Sequence, residues 1–206
     1  ILHLAKNSKE YRPTLYDFLA HNALQFYKTS ENNITKPAYQ FKLDNPDLMS
    51  ESNTFSKLQL TTKDSSSLQF NALKIYQSLI AFHLKDKNKK ALVDIDLQRL
   101  IFVKQHATFP NKEKLFLQTL KDSEKKLENN AVSGLYAFEI AKTYNQQANS
   151  YQPITNEENQ FKRKEALTIC ETVIKQFPES NGAKKCEILK AQILSKSVQI
   201  VTEEYI

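Results

Sequence analysis

From Asp64 onward, apolar residues return every three or four positions, the period of a helix that buries one face. Leu68, Ala72, Ile75, Leu79 and Phe82 form one stripe, and Phe70, Leu73, Tyr76 and Ile80 widen it. So wide an apolar arc predicts a helix packed on two sides, with Asp64 or Ser65 as its cap. The charged run Lys85-Asp86-Lys87-Asn88-Lys89 turns the chain. A second helix is expected over 91–105, with Leu92, Ile95, Arg99 and Phe102 in one row and Leu97, Leu100 and Ile101 in another. Phe109-Pro110-Asn111 ends it, and Asn111 is placed to cap a helix carrying Leu115, Phe116, Leu120 and Leu127. Nearer the start, Pro13-Thr14 opens a helix on which Leu15, Phe18, Leu19, Ala23 and Phe26 share one face. The polar stretch between, with Pro37 and Pro46, reads over 32–63 as a long loop or an extended wrap across the first helices.

The pattern is most specific where small and large residues alternate at fixed spacing. Ala137-x2-Ile140-Ala141-x2-Tyr144, then Ala166-x3-Cys170-x2-Val173-Ile174-x3-Pro178, match the two helices of a tetratricopeptide repeat. In that motif small residues of one helix receive bulky residues of the other, and a proline closes the second helix. The positions matching Tyr144 and Ala166 lie about 9 apart in a standard repeat. Here they lie 22 apart, so the turn between the helices is longer by about 13 residues. That excess contains the polar run from Tyr151 to Asn159, a surface loop. Asn181-Gly182 punctuates, and a last helix runs from Ala183 to Lys196.

About seven helices result, six of them paired as antiparallel hairpins: 64–86 with 90–107, 111–129 with 131–149, and 159–177 with 181–196. The fold class is all-α, a tetratricopeptide-like α-solenoid, over 1–197. Within it, 1–63 is a helix plus long loop and 64–197 the three hairpins. Val198-Gln199-Ile200-Val201-Thr202 is β-branched and strand-like, so 198–206 reads as the start of a following β domain. The chain begins at Ile1 without a methionine, as a piece or processed product of a longer chain does.

Composition agrees with helices. The 206 residues include only two glycines, Gly134 and Gly182, against an average near 7% that would give about 14. Net charge is +6, but acids interleave the lysines: Asp86, Glu113, Asp122, Glu124, Glu128 and Glu165 break any continuous phosphate track. No apolar run reaches the ~20 residues of a membrane span.

The chain is poor in recognisable chemistry. Asp17 with His21 and His83 with Asp86 sit at helical spacing, which reads as two surface pairs; neither has a third ligand for a metal. Asp94 and Asp96 fall on different helix faces, whereas Asp96 and Arg99 share one. There is no glycine-rich phosphate loop and no Gly-x-Ser-x-Gly elbow. Neither an enzyme nor a cofactor site is expected. Cys170 and Cys186 lie eight residues either side of Pro178, which sets them opposite each other across a hairpin. Two readings stay open there: a pair of small buried hydrophobes, or a disulfide, which would imply an oxidising compartment.

Three segments together resemble one family. Arg12-Pro13-Thr14-Leu15-Tyr16-Asp17-Phe18-Leu19-Ala20-His21-Asn22-Ala23-Leu24 is similar to the opening of the helical N-terminal region of large bacterial α-2-macroglobulin-like proteins of the Bacteroidetes type. Leu79-Ile80-Ala81-Phe82-His83 with Asp94-Ile95-Asp96-Leu97-Gln98-Arg99-Leu100 resembles its next part. Ala166-Leu167-Thr168-Ile169-Cys170, through Phe177-Pro178-Glu179-Ser180, to Cys186-Glu187-Ile188-Leu189 resembles its end, before the first β-sandwich domains. The resemblance implies a cell-envelope protein, periplasmic or attached to the outer membrane, whose later domains trap proteases through a reactive Cys–Gln thioester. This chain has no Cys-x-Glu-Gln: Cys170 is followed by Glu171-Thr172 and Cys186 by Glu187-Ile188. The implied role is structural, with protein partners: other domains of the same parent chain, envelope proteins or proteases. Neither nucleic acid nor membrane insertion is implied. The other expectation is a free-standing adaptor that binds a peptide or glycan, with Tyr144 and Tyr151 as its first candidate contacts.

Overall fold

The computed structural model describes residues 8–29, 38–152 and 157–195. Among them are nine α-helices and no strand: α1 (Ser8–Tyr11), α2 (Leu15–Tyr27), α3 (Ser52–Lys57), α4 (Leu68–His83), α5 (Lys90–His106), α6 (Lys112–Lys126), α7 (Ser133–Gln147), α8 (Lys162–Gln176) and α9 (Asn181–Leu194). The strand-like tail at 198–206 lies outside the described residues. Three hairpins form as expected, α4 with α5, α6 with α7 and α8 with α9. α7 is the central helix, packed on α6, α8 and α9 and touching α5; α2 lies outermost on α4.

The repeat-like packing is realised on α7 to α9. Ala141, Ala166, Cys170, Ala183 and Cys186 are fully buried, and Ile140, Tyr144 and Val173 fill the space beside them. The long turn falls where the spacing puts it, between Gln147 and Lys162. The two glycines do more than punctuate. Gly182 lies in the first turn of α9, behind the N-cap Ser180, whose hydroxyl accepts from the Ala183 N–H at 3.0 Å. A Cβ on Gly182 would fall 2.5 Å from the carbonyl carbon of Gly134. The two glycines let the start of α9 lie directly on the start of α7.

Three local expectations are corrected. Segment 32–63 holds regular structure within 38–63: Pro46 opens a 3₁₀ turn, Pro46–Met49, at a position where its missing N–H costs nothing, and α3 follows. The cap of α4 is Ser67, whose hydroxyl accepts from the Phe70 N–H; Asp64 is buried and accepts from the Phe41 N–H at 3.1 Å. Asn111 stands at the start of α6 in the left-handed region, φ 59°, which asparagine tolerates, and makes no side-chain cap.

The largest correction concerns α2. Its expected core stripe faces outward: Leu15 is 66% exposed, Phe26 61%, Leu19 57% and Phe18 42%. The buried face is Asp17, Ala20 and Leu24. The apolar period holds and the helix forms, but a buried carboxylate decides which face turns inward.

Candidate functional site

Two buried polar clusters organise the N-terminal half. The first begins with Thr14. Its hydroxyl accepts from the Asp17 N–H and its own N–H donates to Asp17 Oδ2 at 2.9 Å, a capping box with aspartate as the acid. The other oxygen, Oδ1, lies 2.6 Å from His83 Nε2 on α4. His83 Nδ1 is 2.7 Å from Asp86. The His83 ring thus lies between two acceptor carboxylates. Burial raises the Asp17 carboxyl, but the hydrogen bonds from Thr14 and His83 outweigh it and hold the group below its ordinary range. The His83–Asp86 pair thus forms as spaced, but His83 is buried rather than at the surface. The Asp17–His21 side-chain pair does not form: His21 Nδ1 bonds the Asp17 backbone carbonyl at 2.8 Å, and the carboxylate crosses to His83.

The second cluster holds the wrap. A segment without a strand or helix partner leaves carbonyls that need donors. Gln77 of α4 donates to Phe55 O at 2.9 Å and Leu58 O at 2.7 Å. Arg99 of α5 donates to Leu48 O at 2.7 Å and Ser50 O at 2.9 Å, and its guanidinium lies 4.5 Å from the Phe55 ring centre. Thr119 of α6 donates to Met49 O at 2.7 Å. Asp96 neutralises Arg99 in a short ion pair with both groups fully buried, and accepts from Tyr136 Oη at 2.7 Å. Burial and the Asp96 carboxylate push the Tyr136 phenol well up, which keeps it a donor. The sequence shows the Asp96–Arg99 spacing; that it is buried and clamps the wrap follows from packing.

Of the tyrosines singled out by the adaptor reading, Tyr144 is a packing residue of the core. Tyr144 is buried between Lys162 Nζ, 4.2 Å from the ring centre, and Lys121 Nζ at 5.4 Å. Tyr151 is half-buried in the turn after α7. His106 Nδ1 meets Gln69 Nε2 at 3.2 Å. Lysines are engaged with acids: Lys90 with Glu10, Lys104 with Glu113, Lys142 with Glu139 and Lys190 with Glu171. Among the described residues no three His, Cys, Asp or Glu side chains gather as a metal site.

Cys170 and Cys186 are fully buried, face each other across the α8–α9 seam and stand as unbridged thiols in this structure. Contact with Cys170 and burial push the Cys186 thiol up. Labelling in denaturant without reductant separates the two readings of the pair: two labels report free thiols, and none reports a bridge.

Two concavities bear on binding. One, of about 540 Å³, lies where α5, α7 and α9 all begin; Tyr11, Val132, Leu135 and Phe177 form its apolar part, and charges of both signs, Glu10 and Lys184 among them, its rim. The other, about 420 Å³, is a groove between α2 and α4 lined by Leu19, Ala20, Ala23, Tyr27 and Ile75, with Lys74 beside it. Its end is set by Tyr16, whose hydroxyl is 2.7 Å from Ser78 Oγ and whose ring meets Phe82 edge to face. Sequence reasoning missed this groove. Its signal was the apolar stripe on a helix whose opposite face carried Asp17.

The fold defines an all-α protein of packed antiparallel hairpins with helical-repeat character. Comparison with protein-family models, curated proteins and solved structures returns no match.

Proposed function

We propose that this chain is a non-catalytic structural and interaction module, the helical region of a cell-envelope α-2-macroglobulin-like protease inhibitor. One observation carries the reading. The three segments that resemble that family also supply several of the buried side chains that tie the fold together. Asp17 of the first bonds His83 of the second. Asp96 and Arg99 of the second clamp the wrap. Cys170 and Cys186 of the third share a seam. A chance likeness of scattered surface residues would not coincide with the buried ties. On this reading the partners are other domains of the parent chain, envelope proteins or proteases. The test is to sequence the reading frame on both sides of the chain. An export signal upstream and a run of β-sandwich pattern ending in a Cys-x-Glu-Gln motif downstream support the reading; a stop codon directly after Ile206 overturns it.

The cleft where α5, α7 and α9 begin favours a second reading, a tetratricopeptide-like adaptor that holds a peptide there. Charge reversal at Lys184, on its exposed rim, should weaken such a peptide without moving the melting temperature.

A further inference from the structure

We infer that the groove between α2 and α4 is a docking site for an amphipathic helix with acidic flanks, supplied by another polypeptide. The inference rests on the interaction-module reading and names the surface and the kind of partner.

Shape is the first argument. α2 is 13 residues long, so the groove beside it runs about 20 Å, the length of a helix of three to four turns. Leu19 and Ala23 line it one turn apart, and Leu15 and Phe26 continue the same exposed row of α2 at the spacing that packs a second helix. Phe82, 47% exposed, extends the apolar surface beyond Tyr16. An apolar face this continuous is unusual on a surface left to water.

Charge is the second argument, and it selects the occupant. The only acid of α2 is Asp17, buried against His83. α4 has no acid at all. The nearest carboxylate past its end, Asp86, is held by His83. Among the residues that line the groove the one charged side chain is Lys74 of α4; Lys28 directly follows α2 and Lys85 follows α4 in the chain. A partner helix with Glu or Asp beside its apolar stripe sets opposite charge against Lys74. A second copy of this chain would set these lysines against each other. A flat lipid surface would leave the concave floor at Ala20 and Ala23 unfilled.

The test uses two synthetic helical peptides with the same leucine stripe, one flanked by glutamates and one by lysines. Binding is followed by fluorescence anisotropy. The glutamate peptide is expected to saturate the protein, and the lysine peptide to bind at least about tenfold more weakly, a gap that narrows as salt screens the flanks. Leu19→Glu should abolish binding, and Lys74→Glu should reverse the preference; both sites are exposed, and an unchanged thermal melt certifies the fold. Equal binding of the two peptides, or none, overturns the proposal. So does Leu19-dependent dimerisation in sedimentation, or Leu19-dependent adsorption to phosphatidylserine vesicles in place of peptide binding. Failure here with sandwich domains found downstream removes the groove and leaves the module reading standing. A stop codon after Ile206 with peptide binding intact does the reverse.

Discussion

α2 and α9 are both outer helices, and they are attached by opposite means. α9 lies on α7 and α8 through Gly182, Ala183, Cys186 and Leu189, small or apolar groups that let backbones approach. α2 lies on α4 through Ala20, Leu24 and a carboxylate, with Asp17 reaching His83 in a site closed to water. A small-residue seam announces its buried face in the sequence. A polar tie conceals it, because the residue that marks the inside looks like a surface residue, and the apolar stripe is left facing out.

Polar ties are also brittle, which orders the expected effects. The largest belongs to Arg99→Ala. It strands the Asp96 carboxylate and two wrap carbonyls in a dry interior. Breaking one partner of a buried ion pair costs about 3–5 kcal/mol. Urea denaturation should show that loss, and removing the charge on both partners, Asp96→Asn with Arg99→Met, should restore part of it. A loss under about 1 kcal/mol for Arg99→Ala would mean that the wrap is held by its apolar residues instead.

Next comes the small-residue seam. The Cβ of Gly182→Ala would meet backbone atoms of Gly134 at 2.5–2.8 Å, so the two helices must part. Overpacking of this kind costs about 1–3 kcal/mol, against which alanine returns up to about 1 kcal/mol in helix propensity. Gly134→Ala meets the Val173 Cγ1 at 2.9 Å and the Gly182 Cα at 3.5 Å; valine is stiff at χ1 in a helix, so α8 must give, but one side chain yields more readily than a backbone. It should therefore cost less than Gly182→Ala. Equal melts for the two variants would show that the α7–α9 crossing is looser than this geometry.

These contrasts explain what was legible. The hairpins α4 to α9 and the long turn after α7 could be read because apolar period, proline breaks and small-large spacing report local structure directly. The wrap over 38–63 could not, since its order comes from Gln77, Arg99 and Thr119, residues on other elements. The face of α2 could not, since the partner of Asp17 lies 66 residues away. The glycines read as punctuation, since their contact joins two helices 48 residues apart in the chain.

Acid should release the polar ties in two steps. Burial first and Arg12 second hold the His21 base below its ordinary value; burial and Lys112 do the same to His106. For such groups the unfolded chain binds more protons, so stability falls as pH drops below the unfolded value of about 6.5. Asp17, also lowered, contributes stability above the ordinary carboxylate value of about 3.9 and loses it as pH falls through its folded value. Melts from pH 8 to 3 should decline first across the histidine window and again in acid. Asp17→Asn should lower the neutral plateau and flatten the second decline, whereas His21→Gln should act on the first alone. A melt unchanged between pH 8 and 5 would place both histidines in contact with water.

The smallest expected effect, at Leu19, tests the comparison most directly when it is set against the larger one at Leu24 of the same helix. Leu24 is 1% exposed and Leu19 57%; the apolar stripe read from the sequence holds Leu19, whereas Leu24 shares the buried face with Asp17 and Ala20. Leu24→Ala should cost about 2–5 kcal/mol, the range for a buried leucine in a packed core. Leu19→Ser should stay within about 0.5 kcal/mol, as at a solvent-facing position. A large loss at Leu19 would turn α2 over, return its apolar stripe to the core and carry Asp17 away from His83. No change at Leu19 with a full loss at Leu24 means that the stripe contributes nothing to the stability of the isolated chain. Its apolar positions then have their use in contact with something else, which is the role the groove assigns them.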